Sequence, residues 1–507
     1  MTKTDRMRKV EKLWGSRFKK KTSALFETFT AGRDMRGVLP ADEKLISYDL
    51  WGSRAHVVML AKQGILSRSE ARTLIQGLEK IEQAWLKGTF RLDPSKEDVH
   101  SAIESQLIKK YGLEVGGKIH TARSRNDQIA LDMRLYLRDQ AMEFISAMLF
   151  LLGALLKNAQ RDREKIFPGF THHQIAQMTS LGHLWLSFAE QVCRDIQRFQ
   201  GWYARFNQNP LGAMTGYGTS FSIDENFTSK LLAFDGPCQN TLDPIQCRWE
   251  PEAEMAFAIG AMMNHFSSWA QTFIILSMEE FALFRIDDSQ CSGSSMMPQK
   301  RNPDALEVVK AKTALAHGTL ASLLSIGRGL FLGYNRDQQW TKYLIMDVID
   351  ETLSAPTVMS EVIGTIKVKD KRVLAICQKG FITAPDLLEE MIQEWGGPFR
   401  QAKTAFEKAV RYSEQQGREM ISSQDLRKAL MEEKVDFQFG DRFLSEAQDF
   451  KRVISRRKGI GGPSLKALRH HNEKLSKFIE YTKKWVSNRK KEHELAKRML
   501  RNKEKAL

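Results

Sequence analysis

Apolar residues recur at helical spacing from residue 129 to residue 156 with few breakers, and this run limits the possible folds more than any other stretch. Comparable patterns cover 175–199, 253–284, 303–324 and 340–363, while strand-like alternation is scarce. Five long helices with several apolar faces each must bury one another. The spacing therefore predicts an all-α chain built on a central long-helix bundle, with stripes left over for association between copies. At 507 residues and 42% hydrophobic content, there is material for two or three domains. The boundaries fall as a mainly helical N-terminal domain (1–124), the bundle (125–374), a small helical domain (375–465) and a basic helical tail (466–507).

Charge sharpens the last boundary. The chain holds 77 basic and 61 acidic residues, a formal charge of +16, which raises an acidic partner. Residues 466–507 alone hold 14 Lys and Arg against 5 Asp and Glu, so +9 of the excess lies there. Leu475, Phe478, Ile479, Val486, Leu495 and Met499 among these lysines predict one or two exposed basic helices. A solvated charged face is the leading reading and a nucleic-acid contact the minor one.

Five scattered cysteines without a C-x-x-C pair offer neither a disulfide framework nor a zinc pattern, which suits a reducing cytoplasm. The N-terminal MTKTDRMRKVEKLW lacks the apolar region of a signal peptide, and the most apolar run, 144–156, is too short to span a bilayer. The expectation is a soluble cytoplasmic protein.

The polar clusters lie between the long helices, so rigid elements carry chemistry at their ends. In GSSMMPQKRNPD (293–304), Asn302 reads as an N-cap, Pro303 as the first helical residue and Asp304 as first-turn acid. Ser294 and Ser295 then sit on a glycine-hinged loop where backbone N–H groups and Lys300 hold an anion. A serine on such a loop is usually only polar; a lysine, an asparagine and two hydroxyls so close together favour chemistry. Serine is a poor base at its free pKa, so local positive potential is needed to activate it. Without a G-x-S-x-G elbow in a helical chain, proton abstraction beside a carboxylate fits better than hydrolysis.

HTARSRNDQ (120–128) has the arginines, hydroxyls and amide to grip carboxylates, its bland alternative being a capped turn with surface arginines. PGFTHHQIAQ (168–177) places Thr171, His172 and His173 after a Pro-Gly turn and before a helix. Neutral imidazole there is a proton carrier, and no acidic or cysteine neighbour stands at metal-ligand spacing. GYNRDQQWTK (333–342) adds Tyr334, Gln339 and Lys342 at an inter-helix junction. Residues 112–118 fit G-x-x-x-x-G-K, but Ile119 follows and a helix precedes, which excludes a P-loop.

Together these loops resemble the fumarase/aspartase superfamily and, within it, the argininosuccinate lyases most closely. The family's GSSxMPxKxN is intact at 293–302, HTARSRNDQ is its most distinctive stretch, and PGFTHHQ resembles PG(Y/F)THLQ. The likeness runs from LWGSRF (13–18) through EDVH (97–100), PLG (210–212) and GFITAPDL (380–387) to GGPS (461–464).

The resemblance implies elimination of argininosuccinate to fumarate and arginine. Ser294 would remove the Cβ proton, Lys300 and Asn302 would stabilise the aci-carboxylate, and His172, oriented by Glu307, would be the other acid/base group. Which of Ser294 and His172 is base and which acid stays open. Ser124, Arg125, Asn126 and Thr171 would hold the substrate, with Tyr334, Gln339 and Lys342 contributing. The resemblance further implies a homotetramer with a twenty-helix bundle and active sites shared between subunits, and neither cofactor nor metal.

Departures concentrate around the substrate. Gly32 stands where the family has a binding serine, and EDIHTANE becomes EDVHSAIE with Ile103 in place of an amide. Ser-(Asp/Glu)-Arg-Asp becomes Gln246-Cys247-Arg248-Trp249 with Pro251 beyond, and GSGALAGT becomes the 212–219 stretch GAMTGYGT. Three readings follow: an argininosuccinate lyase-type enzyme, a paralogue eliminating another N-substituted aspartate, or a catalytically weak structural or binding member. Retention of Ser294, His172, Lys300 and Glu307 favours the enzymes, and Tyr334, Gln339 and Lys342 favour an arginine-like leaving group.

Overall fold

A computed structural model describes residues 20, 22–31, 39–93 and 96–507; Gly32 and the LWGSRF stretch lie outside the described residues. The centre is a bundle of long helices: Arg125–Arg161, Leu181–Phe206, Glu250–Ser277 and Asp304–Gly327, completed by Thr341–Thr352 and Ala355–Thr365. Trp185, Trp202 and Trp269 are fully buried between them, and Phe188 stacks on Trp269 at 4.5 Å between ring centroids. The 37-residue Arg125–Arg161 helix starts in a capping box made by Ser124 and Asp127. It is also apolar enough to cross a membrane by length and composition, but its apolar residues line this core.

Three sequence expectations are corrected here. The pattern at 340–363 is two helices, because Pro356 lacks the N–H that would continue the first. The pattern at 253–284 ends as helix at Ser277, and Phe284–Arg285 instead pairs with Lys367–Val368. The pattern at 175–199 starts as a strand: Gln174–Ser180 pairs antiparallel with Ile166–Thr171, and the helix begins only at Leu181, capped by Ser180. His172 and His173 form the hairpin tip, with φ of 51° and 62°. Two successive left-handed residues give the turn a twist that matches the strands.

The helices Ala384–Trp395, Phe399–Gln415 and Ser423–Glu432 gather around a separate core that includes Leu387, Met391, Phe406 and Leu426. The tail also differs from its reading. Leu465–Lys505 is one 41-residue helix laid along the bundle, with Leu475, Val486, Ala496 and Leu500 in the main core. Arg54 donates to both oxygens of Glu504, at 2.7 and 2.6 Å, and fixes its far end. Only its outer face is the solvated basic surface expected.

Candidate active site

Ser292 and Asn302 pair across the neck of the serine loop: Asn302 donates its backbone N–H to Ser292 O at 2.8 Å and receives the reverse bond at 3.0 Å. The Asn302 amide then donates to Gly293 O at 3.2 Å. Asn302 is therefore no helix cap. The helix begins at Asp304 with Pro303 at its N-cap and no side-chain cap, because the asparagine is spent closing the loop.

Within the loop, Ser294 Oγ accepts the backbone N–H groups of Met296 at 3.2 Å and Met297 at 3.0 Å. Two donors aimed at one hydroxyl oxygen favour its charged form, which is what a serine base requires. Residues 295–300, Lys300 included, are exposed, so the loop is open around a half-buried Ser294. Glu307 is exposed on the first helical turn, and Thr171 and His172 are exposed at the hairpin. Within one chain no hydrogen bond joins His172 to Glu307. The hairpin base and the segment leading to the serine loop share one end of the bundle, where Phe167 stacks on Phe284 at 5.5 Å.

Other candidates gather elsewhere. Arg125 donates to Glu97 and Ser101, and Arg336 lies 3.8 Å from Glu97, which brings the 333–342 junction beside Ser124, Arg125 and Asn126. Tyr334 packs against Ala130, Ala213 and Ile245. Gln339 is half-buried, while Lys342 is buried with its ammonium on Asp42 at 2.6 Å. These groups form the opposite end of the bundle. The 24-residue helix Asp304–Gly327 separates the serine loop from the Tyr334 junction, a distance of about 36 Å at 1.5 Å per residue. One chain thus places the candidate residues in two groups, not one.

Several residues that sequence reasoning passed over hold these groups in shape. Asp127 accepts N–H groups from Ser124 at 2.9 Å, Met214 at 2.9 Å and Gly212 at 3.2 Å. Burial pushes its carboxyl up to about 6 against the pull of those donors. Beneath the 120–128 loop, His100 Nδ1 meets Asp49 at 2.5 Å and lies 3.7 Å from Asp132. Arg123 donates to Ser53 at 3.0 Å, and Ser53 donates to Asp49 at 3.2 Å. Asp49, His100 and Asp132 offer ligand atoms within 4.8 Å of one another, a spacing a metal could use. Burial raises Asp49, but His100 and the Arg123 guanidinium outweigh it and hold the carboxyl low. His100 and Arg123 were visible inside EDVH and HTARS; nothing local marked Asp49 or Asp132.

The model of a family described as lyase matches residues 16–318. The argininosuccinate lyase of Caldicellulosiruptor bescii is 37% identical over 475 residues, 93% of this chain and 99% of the relative. That of Hahella chejuensis is 36% identical over 471 residues, 92% of this chain and 97% of the relative. The chain belongs to the argininosuccinate lyase family.

Solved structures place this family member in the fumarase/aspartase superfamily. An EDDS lyase in complex with formate matches at a TM-score of 0.88 with 26% identity, covering 97% of each chain. The 3-carboxy-cis,cis-muconate lactonizing enzyme from Pseudomonas putida, at a TM-score of 0.69 and 16% identity, shares the fold, covering 90% of this chain and all of its own. A lyase family model, argininosuccinate lyase relatives and an EDDS lyase neighbour make this a carbon–nitrogen lyase.

Proposed function

We propose that the chain cleaves argininosuccinate into fumarate and arginine, and that the loop holding Ser294 against two N–H donors beside Lys300 starts the reaction. That geometry is the observation that carries the mechanism. Ser294 Oγ takes the proton from the succinyl Cβ, and the electron pair moves into the neighbouring carboxylate. Lys300 holds the resulting aci-carboxylate as its charge develops, joined by Asn302 once the asparagine amide leaves the Gly293 carbonyl. Collapse breaks the C–N bond, and His172, oriented by Glu307, protonates the departing nitrogen. Ser124, Arg125, Asn126 and Thr171 hold the succinyl part, and Tyr334, Gln339 and Lys342 the amino-acid part.

The two groups at opposite ends of the bundle support assembly of each active site from several copies in a homotetramer. The outer face of Asp304–Gly327 supports the same reading: Ala314, Leu315, Gly318, Ala321 and Leu324 are exposed there, with Phe257 exposed on the neighbouring helix. A face of small and apolar residues suits close packing against another helix.

A second reading, elimination from a different N-substituted aspartate, is favoured by Ile103 and Trp249 and by the EDDS lyase neighbour. Purified protein given argininosuccinate should release fumarate, followed by absorbance, and Ser294→Ala should abolish release. Fumarate only from another succinyl amine selects the second reading. Silence with every such substrate selects a structural or binding role.

A further inference from the structure

Gln246, Cys247 and Trp249, which depart from the family pattern, and Arg248, which keeps its arginine, lie against the 327–338 segment. Gly333 donates its N–H to the Gln246 amide oxygen at 3.4 Å. The Trp249 indole covers Gly327 so closely that a Cβ there would sit 2.5 Å from the ring. Between them, the Arg248 guanidinium lies 5.0 Å from the centroid of the Tyr334 ring and donates to the Gln338 carbonyl at 3.1 Å. Arg248 is only 6% exposed, and Gln338 is fully buried with neither side-chain atom partnered. The Gln338 carbonyl is thus shared between Arg248 and the Thr341 hydroxyl at 2.9 Å, with no help from its own side chain.

We infer that Arg248 is a positioning residue: its planar guanidinium fixes the Tyr334 ring and the Gln338 peptide at once, and so sets Tyr334 and Gln339 for the amino-acid half of the substrate. This rests on the proposed cleavage of argininosuccinate. A guanidinium suits the task because it stacks on an aromatic face and donates in its own plane, which an ammonium does not. The buried Glu252, whose carboxyl burial pushes up to about 7, lines the same small gap together with Arg134. The family's acid at the following position is here Trp249, and the tryptophan becomes a wedge under the start of the loop. The altered stretch is thus a rebuilt brace whose chemistry reaches the substrate through Tyr334.

Two variants test this, Arg248→Lys, which keeps the charge, and Arg248→Met, which keeps the bulk without burying an unpaired donor. Amide hydrogen exchange on the free protein should rise about tenfold or more over 333–340 in Arg248→Met, less in Arg248→Lys, with the bundle helices unchanged. In the direction of synthesis, KM for arginine should rise about tenfold while KM for fumarate stays within about twofold. Exchange at 333–340 equal to the parent in both variants overturns the inference, and so does a parallel rise of both KM values. If the parent protein itself makes no argininosuccinate, the proposed function fails, and the exchange comparison still decides the role of Arg248.

Discussion

Asp127 accepts the backbone N–H of Met214 at 2.9 Å across 87 residues of sequence, and this bond fastens the loop of Ser124, Arg125 and Asn126 to the 212–218 turn. Met214 has a φ of 56°, a conformation that side chains other than glycine rarely adopt, and the carboxylate helps hold it there. The same group caps its own helix through the Ser124 N–H. One buried acid thereby shapes two loops of the candidate site.

Replacing that acid with its amide is the direct probe. In Asp127→Asn one acceptor oxygen becomes an NH2 facing backbone donors, so a buried N–H loses its partner at a cost of about 1–3 kcal/mol. The expected outcome is a lower melting temperature and a raised KM for argininosuccinate, with a smaller change in kcat. Unchanged melting and unchanged KM would show that the two loops hold without it.

Acid stability should contain two opposing terms. The Asp127 carboxyl is raised by burial from 3.8 to about 6, so the fold binds its proton more tightly than the unfolded chain does. Its contribution is present below the unfolded value and fades as pH rises through 6. His56 is the reverse: burial, helped by the Arg123 charge, lowers it from 6.5 to about 3. Its contribution is present above the unfolded value and is lost as pH falls from 6.5 toward 3. Denaturation curves between pH 4 and 6 should therefore steepen upward with pH in Asp127→Asn and flatten in His56→Gln. Parallel curves in all three proteins would contradict both assignments.

The C-terminal helix should behave as part of the bundle. Glu504 is 4% exposed at its side chain and Arg54 12%, and the fork between them is backed by Glu82 at 2.7 Å. Glu504→Gln leaves Arg54 its second acid, so a loss of about 1–3 kcal/mol is expected from denaturant melts. Deleting 466–507 removes Leu475, Val486 and Leu500 from the core and should lower the melting temperature far more. A truncated protein as stable as the parent would restore the view of an appendage.

What could be read from the chain follows the reach of each interaction. The long helices were legible because a 3.6-residue apolar period is written locally, and the reaction loops because their chemistry is packed into nine or ten consecutive residues. The hairpin was not, since its tip uses two histidines at positive φ where glycine or asparagine would have marked a turn. Asn302 looks like a cap by local preference, yet its amide finds the Gly293 carbonyl nine residues back. The docking stripe of the last helix was hidden by Thr482 and His493, polar residues at buried positions. His493 is held there by the Tyr203 hydroxyl 290 positions away. Arg248 and Asp127 were opaque for the same reason: Gln338 lies 90 residues from the one and Gly212 85 residues from the other.

Subunit sharing has its own test, because Asn126 and Ser294 lie at opposite ends of one chain's helical bundle. Asn126→Ala and Ser294→Ala should each be inactive alone. Unfolded together in equal amounts and refolded, they should form mixed tetramers in which some sites take Asn126 from one chain and Ser294 from another. With random assortment, about a quarter of the sites would be intact, so about a quarter of parental turnover should return. Ser294→Ala mixed with Lys300→Met is the control. Both residues sit on one loop of one chain, so no intact site can form and turnover should stay absent. Recovery in the control, or none in the first mixture despite proven mixed tetramers, would mean that each chain builds its own site.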